Sequence, residues 1–184
     1  MTDLTAALSA AAANMDDSLE RLFGLLRIQS ISTDPAYKAD TARAADWAAD
    51  HLRQSGLRVE ILPTGDPAGS GHPIVLAESD AAPDYNGPHV LFYGHYDVQP
   101  ADPLELWDSP PFEPVIKPAA GPVGERIVAR GAVDDKGQVA SFLEALRAWK
   151  ETTDQTAGGV RFTVLLEGEE ESGSVNLDRF VRQN

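Results

Sequence analysis

A histidine and an aspartate stand two residues apart, at His95 and Asp97, shortly after the apolar run 90–93. Side chains at positions i and i+2 of a strand point to the same face, so this pair should lie side by side. The imidazole could bind a metal ion through one ring nitrogen while the carboxylate accepts a hydrogen bond from the other. A buried histidine satisfied by a nearby aspartate would leave the same pattern, so the pair alone decides nothing.

Two adjacent aspartates, Asp134 and Asp135, stand immediately before a predicted helix that begins at Lys136. Aspartate is a preferred N-cap residue, and its charge is favourable near the N-terminus of a helix. One carboxylate could instead bridge two metal ions, because the ions of two-metal hydrolases lie about 3.5–4 Å apart. The two interpretations are compatible, since one aspartate can cap the helix while the other binds metal.

Three consecutive glutamates, Glu169 to Glu171, follow a predicted buried strand at residues 160–166 and precede Ser-Gly-Ser. A solvated acidic loop is the simplest interpretation of an arbitrary run of this kind. Three neighbouring negative charges also repel one another unless cations or protons relieve them. Two adjacent carboxylates can divide the work of a hydrolase: one binds metal, and its unbound neighbour takes a proton from water and returns it to the leaving amine.

Apolar strands alternate with amphipathic helices along the chain. The pattern predicts helices at about 19–26, 41–55 and 136–150 and from 175 onward, and strands at about 57–63, 73–77, 90–93, 126–130 and 160–166. This order predicts a three-layer α/β fold with a largely parallel central sheet flanked by helices. Ligands of such folds gather at the carboxyl ends of the strands. We therefore expect the histidine, the aspartates and the glutamates to meet at one edge of the sheet.

Composition narrows the function classes. The chain has 184 residues, 42% of them hydrophobic, and a net charge of −14, which argues against a nucleic-acid or anionic-membrane partner. It has no cysteine, so a metal site would have to use histidine and carboxylate ligands. The N-terminus lacks the basic start of a secretory signal, and no apolar run approaches the roughly 20 residues that span a bilayer. A cytoplasmic protein is the default expectation.

Four motifs taken together resemble a known family. They are Gly-His-Tyr-Asp-Val-Gln-Pro (94–100), Trp-Asp-Ser-Pro-Pro-Phe (107–112), Arg-Gly-Ala-Val-Asp-Asp-Lys-Gly (130–137) and Glu-Gly-Glu-Glu-Glu-Ser-Gly-Ser (167–174). In this order they resemble the di-zinc metallopeptidases that include carnosinases, bacterial dipeptidases, carboxypeptidase G, aminoacylase and the acetylornithine and succinyl-diaminopimelate deacylases. The carnosinase-like dipeptidase branch is the most similar. The resemblance implies that residues 1–184 are the N-terminal part of a catalytic domain, with a helical segment at 1–56 and an α/β core at 57–184.

The resemblance also implies a role for each motif residue. His95 corresponds to a metal ligand, and Asp97 to the acid that orients it during catalysis. Asp134 corresponds to the ligand that bridges two metal ions, and its peptide bond to Asp135 is cis in relatives. Glu170 corresponds to the general base and Glu171 to a ligand of the second ion. Zinc is the usual ion of the family, with cobalt or manganese active in some members.

Relatives extend well beyond the length of this chain. They supply a further carboxylate ligand, a late histidine ligand, and an inserted lid domain through which they form homodimers. The expected activity is therefore hydrolysis of dipeptides, impaired in this chain alone. Two alternatives remain open: deacylation of N-acyl amino acids by the same chemistry, and a non-catalytic metal-binding or interaction remnant.

Overall fold

In the computed structural model, the protein is described over residues 2–66, 70–121 and 124–183. The helices are α1 (Thr2–Ala13), α2 (Met15–Leu26), α3 (Lys38–Gln54), α4 (Lys136–Thr153) and α5 (Leu177–Gln183). The strands are β1 (Arg58–Leu62), β2 (Ile74–Glu78), β3 (Val90–His95), β4 (Val115–Pro118), β5 (Glu125–Val128) and β6 (Phe162–Glu167). Within these described ranges, none of the helices is long and apolar enough to cross a membrane.

The central sheet has the strand order β1-β2-β6-β3 and is flanked by helices, which confirms the expected α/β fold. Its strand directions are mixed and not largely parallel: β3 and β6 run parallel, whereas β2 is antiparallel to both β1 and β6. The connection explains the difference. The parallel pair is joined through helix α4, as a parallel crossover requires, while the described residues between β1 and β2, 63–66 and 70–73, contain no helix.

Each face of the sheet is covered by different helices. Helices α2, α3 and α4 pack on one face and enclose the main core. Helix α5 covers part of the other face, where Phe180 packs with Ile74 and Leu165. The described residues therefore form the three predicted layers. Replacing a fully buried core leucine by alanine would cost about 2–5 kcal/mol.

Two elements were not predicted from the sequence. Helix α1 lies against α4, and its alanine-rich sequence has too weak an apolar stripe to signal an amphipathic helix. Strand β4 lies inside the proline-rich segment 100–122 and pairs with β5 in a separate two-stranded ribbon. Neither element contributes a strand to the central sheet.

Helix α3 shows how local sequence sets its boundaries. Asp34 caps the short 3-10 turn that leads into the helix, and the helix itself begins at Lys38. Asp40 lies inside the first turn of the helix, where it forms an ion pair with Arg43. The helix ends before Gly56, whose φ of +89° lies in the left-handed region that glycine adopts at little cost.

Candidate functional site

Three of the sequence-predicted stretches meet at one edge of the central sheet. His95 ends β3 and is in register with Glu167, the last residue of the parallel strand β6. His95 Nε2 lies 3.1 Å from Asp134 Oδ1 and 3.8 Å from Glu170 Oε2. The topology therefore brings together a histidine, an aspartate and a glutamate from well-separated parts of the sequence, as the strand pattern predicted.

His95 and Asp97 lie side by side, as their spacing predicted. His95 Nδ1 is 3.3 Å from Asp97 Oδ1, and Asp97 is fully buried. Burial of the imidazole opposes its protonation, but the contacts with Asp97 and Asp134 outweigh burial and raise the pKa of His95 to about 9. When Nδ1–H donates to the main-chain oxygen of Asp97, which lies 3.2 Å away, the other ring nitrogen faces the carboxylate of Asp134. A nitrogen lone pair facing a carboxylate at this distance needs a proton or a metal cation between them.

Asp135 does not cap helix α4 with its side chain, although it occupies the N-cap position. Its Oδ2 instead accepts the main-chain N–H of His95 at 3.1 Å, and burial raises its pKa. Glycine at position 94 makes this approach possible, because a Cβ there would lie 2.9 Å from Asp135 Oδ2. The peptide bond between Asp134 and Asp135 is cis, and the side chain of Asp134 is 74% exposed. Asp134 is thus presented outward beside His95.

The three consecutive glutamates have three different surroundings. A 3-10 turn over Glu170–Ser172 separates successive side chains by about 120°, because such a turn has about three residues per turn. Glu170 is exposed and faces His95. Glu169 points inward and is 6% exposed. Its Oε1 accepts a hydrogen bond from the main-chain N–H of His72 at 2.9 Å, and both of its carboxylate oxygens accept hydrogen bonds from Asn176 Nδ2 at 2.9 Å. Glu169 therefore anchors the loop and is not part of a freely solvated acidic run.

Glu171 is held next to the end of β3. Its N–H donates to Asp97 Oδ2 at 3.1 Å, and Gln99 Nε2 donates to its carbonyl oxygen at 2.7 Å. Over the described part of the chain, no group of three or more His, Cys, Asp or Glu side chains is close enough to hold a metal ion. The structure thus places Asp134 and Glu170 each near His95 Nε2, and Glu171 beside Asp97, without assembling them into a complete group of ligands.

A buried lysine connects the site to the N-terminal helices. Lys136 is fully buried, and its Nζ donates to the carbonyl oxygens of Leu25 and Ile28 at 3.1 and 2.7 Å. Burial lowers its pKa to about 7, opposed by the negative charge of Asp97. Sequence analysis gave Lys136 no role beyond the start of a helix. Its position directly after the paired aspartates was the available signal.

A second buried group, Glu167, connects the end of β6 to the loop that carries the glutamates. Its Oε1 accepts hydrogen bonds from the Tyr93 hydroxyl and from Ser174 Oγ, the latter at 2.9 Å. Burial raises the pKa of Glu167. The motif at 167–174 contains this glutamate, but its sequence gives no sign that Glu167 is 2% exposed while Glu170 is open to solvent.

Comparison with known proteins identifies the family. Residues 91–182, half of the chain, match the model of peptidase family M20/M25/M40. The chain belongs to this family. It is 33% identical over 175 residues to the Cys-Gly metallodipeptidase DUG1 of Saccharomyces cerevisiae, covering 89% of this chain and 34% of that protein. It is also 33% identical over 178 residues to the β-Ala-His dipeptidase of Rattus norvegicus, covering 92% of this chain and 34% of the relative.

The fold has solved counterparts in the same family. The structure of the dipeptidase Dug1p from Saccharomyces cerevisiae superposes with a TM-score of 0.83 and 29% sequence identity, covering 100% of this chain and 38% of that one. These matches confirm the family and the dipeptidase branch expected from the motifs. The chain spans about a third of the length of the curated relatives that it matches.

Proposed function

We propose that this chain supplies one side of a two-metal site that hydrolyses the peptide bond of dipeptides. The observation that carries the proposal is the position of His95 Nε2, which faces carboxylate oxygens of Asp134 and Glu170 at 3.1 and 3.8 Å. The likeness to a Cys-Gly dipeptidase and a β-Ala-His dipeptidase supports small dipeptides as the substrate class.

The types of side chain at this edge suit divalent metal ions, although they are not drawn together into a closed group of ligands. The ligand set of one imidazole and several carboxylates suits zinc, cobalt and manganese, and the imidazole is oriented by a buried aspartate as is usual for metal-binding histidines. In this proposal His95 and Asp134 would hold one ion and Asp134 and Glu171 a second, with Asp134 as a ligand to both. Two protein ligands per ion are fewer than the three of an ordinary catalytic zinc site. We therefore expect this chain alone to bind metal weakly.

The proposed mechanism uses the exposed carboxylate at the site. Bound divalent ions would polarise the scissile carbonyl and make water more acidic. Glu170, which makes no ion pair with Lys or Arg in the described residues, takes a proton from the attacking water. It then donates that proton to the nitrogen of the leaving amine, so that one carboxylate serves as base and acid in turn. The main-chain oxygen of Asp97, with its carboxylate nearby, favours the Nδ1–H tautomer of His95, which leaves Nε2 free to bind metal.

Cobalt and zinc titration by calorimetry tests the proposal, together with assays of Cys-Gly and β-Ala-His hydrolysis. We expect weak binding by the wild-type chain and by Glu170→Gln, because Glu170 is assigned as base and not as ligand. Any hydrolysis by the wild type should disappear in Glu170→Gln. Failure of the wild-type chain to bind either metal at millimolar concentration would refute the proposal, and hydrolysis by Glu170→Gln at the wild-type rate would refute the assigned base.

A further inference from the structure

Gln99 makes two contacts with a single residue of the candidate site. Its amide nitrogen, Nε2, donates to the main-chain oxygen of Glu171 at 2.7 Å and to Glu171 Oε2 at 3.1 Å. A glutamine amide carries two N–H donors, so both hydrogen bonds can be made at once. The residues that follow β3 therefore contact the backbone and the carboxylate of a glutamate 72 residues further along the chain.

Asp97, two residues before Gln99, also contacts Glu171. Asp97 Oδ2 accepts the N–H of Glu171 at 3.1 Å, while its Oδ1 faces His95. The N–H, the carbonyl and the carboxylate of Glu171 are thus all fixed by residues 97 and 99. Glu170, in contrast, receives no hydrogen bond from Gln99 and remains exposed.

We propose that Gln99 is a positioning residue that orients the Glu171 carboxylate for binding a metal ion. The inference rests on the proposed function, because it assigns Glu171 as a ligand. With Nε2 bound to Oε2, the rotation of the carboxylate is restricted and Oε1 is left for another partner. Hydrogen bonds to the ligands of a metal restrict their orientation, and loss of such a partner usually weakens metal binding about 10–100-fold.

The replacement Gln99→Met tests the role of the amide. Methionine keeps the length and the unbranched shape of the side chain but has no N–H donor. Gln54→Met is the matched control, since Gln54 is on α3, far from the site, and accepts one hydrogen bond from Arg147. Gln99→Glu adds a second test, because it would place acceptor oxygens against the carbonyl and the carboxylate of Glu171 and should weaken metal binding more than methionine does.

Two measurements on the 184-residue chain separate this inference from the function on which it rests. The first is the Co²⁺ dissociation constant, with the visible absorption of the bound ion as a signature of its ligand geometry. We expect a rise of about 10–100-fold in Gln99→Met and no change in Gln54→Met. The second is amide hydrogen exchange at Glu171 without metal. We expect faster exchange in Gln99→Met, with a thermal midpoint close to that of the wild type.

Each outcome decides a different claim. If the wild-type chain binds no Co²⁺, the proposed function fails, while faster exchange at Glu171 in Gln99→Met would still show that Gln99 holds this residue in place. If the wild type binds Co²⁺ and Gln99→Met binds it equally well with the same absorption spectrum, the positioning role is refuted. Unchanged exchange at Glu171 in Gln99→Met would refute it as well.

Discussion

Acidic side chains have different cationic partners in two regions of this protein. Between helices α2 and α4, Glu144 is mostly buried and paired with Arg21 at 2.6 Å, and a second arginine, Arg147, lies 3.6 Å away. At the ends of β3 and β6, the carboxylates of Asp134 and Glu170 have no arginine or lysine partner among the described residues, and their nearest cationic group is His95.

The difference separates a structural use of charge from an arrangement that could bind a cation. A carboxylate compensated by arginine stabilises the packing of helices and has little capacity to bind a further cation. Carboxylates left uncompensated repel one another, and a divalent cation relieves that repulsion. The placement of the acids, and not the net charge of −14, therefore marks the edge of the sheet as the candidate metal site.

The two histidines near these regions show the same contrast. Burial lowers the pKa of His51, which stacks on Trp47 near Arg147. The pKa of His95 is instead raised to about 9, because its contacts with aspartates outweigh burial. The surroundings of His51 between the helices therefore disfavour a positive charge on the imidazole, whereas the surroundings of His95 at the strand ends favour one.

The largest expected effect comes from removing the imidazole at the strand ends. His95→Ala should weaken Co²⁺ binding by more than about 100-fold, because it deletes a proposed ligand and not merely a group that orients one. Calorimetric titration measures the change. His89→Ala is the matched control, since His89 contacts Thr163 and is exposed. Equal Co²⁺ binding by His95→Ala and the wild type would refute the proposal that metal binds at this edge of the sheet.

The second prediction concerns the compensated region. Glu144→Gln should lower the free energy of unfolding by about 1–3 kcal/mol, since it removes charge-assisted hydrogen bonds from Arg21 and leaves two arginines partly buried. Urea denaturation measures the loss, and Co²⁺ affinity should be unchanged. If Glu144→Gln weakened Co²⁺ binding by a free energy as large as its loss of unfolding free energy, the two regions would not differ in the way proposed.

A smaller effect is expected from neutralising an uncompensated acid. Glu170→Gln should change the metal-free stability by no more than about 0.5 kcal/mol, because a charge at an exposed site contributes little and lies near both His95 and Asp134. Urea denaturation in the presence of a chelator measures the difference from the wild type. A clear loss of stability would mean that Glu170 makes a structural contact comparable to that of Glu144.

The smallest expected effect is a pH dependence on the helix side. Because burial lowers the folded-state pKa of His51, the unfolded chain binds a proton more readily once the pH falls below the ordinary value of 6.5. The contribution of neutral His51 to stability is therefore present above that pH and declines below it. In His51→Gln, urea denaturation from pH 8 to pH 5 should show a shallower fall in stability than in the wild type. Parallel curves for the two proteins would contradict this.

Residue spacing predicted the part of the site that depends on the direction of the strands. Alternation along a strand placed His95 beside Asp97, and the order of elements brought Asp134 and Glu170 to the same edge. The different surroundings of the three glutamates could not be predicted, because adjacent identical residues differ only in the direction that the 3-10 turn and its N-cap position give each of them. The contact of Gln99 with Glu171 depends on the packing of distant segments, which local sequence patterns do not contain.

Strand direction was the main feature of the fold that the sequence pattern misjudged. Alternating helices and strands predict parallel pairing, and this holds for β3 and β6, which are connected through α4. The sequence between β1 and β2 indicated the antiparallel direction that is observed. Segment 64–72 is rich in glycine, proline and serine, which predicts a turn, and strands joined by a turn can pair antiparallel. The side chains that follow β3 and β6 still lie at one edge of the sheet, as predicted, because this depends only on the parallel pairing of these two strands.

The buried hydrogen bonds of Lys136 limit how this protein can be divided. A polypeptide that started after Ile28 would lack both carbonyl acceptors of the ammonium group, which would be left buried without a hydrogen-bond partner. Proteolytic cleavage after Ile28 should therefore destabilise the start of α4 and the loop that carries Asp134, even though the residues removed contribute no side chain to the site. Grafting the motif loops onto another scaffold would therefore require carbonyl acceptors for this lysine to move with them.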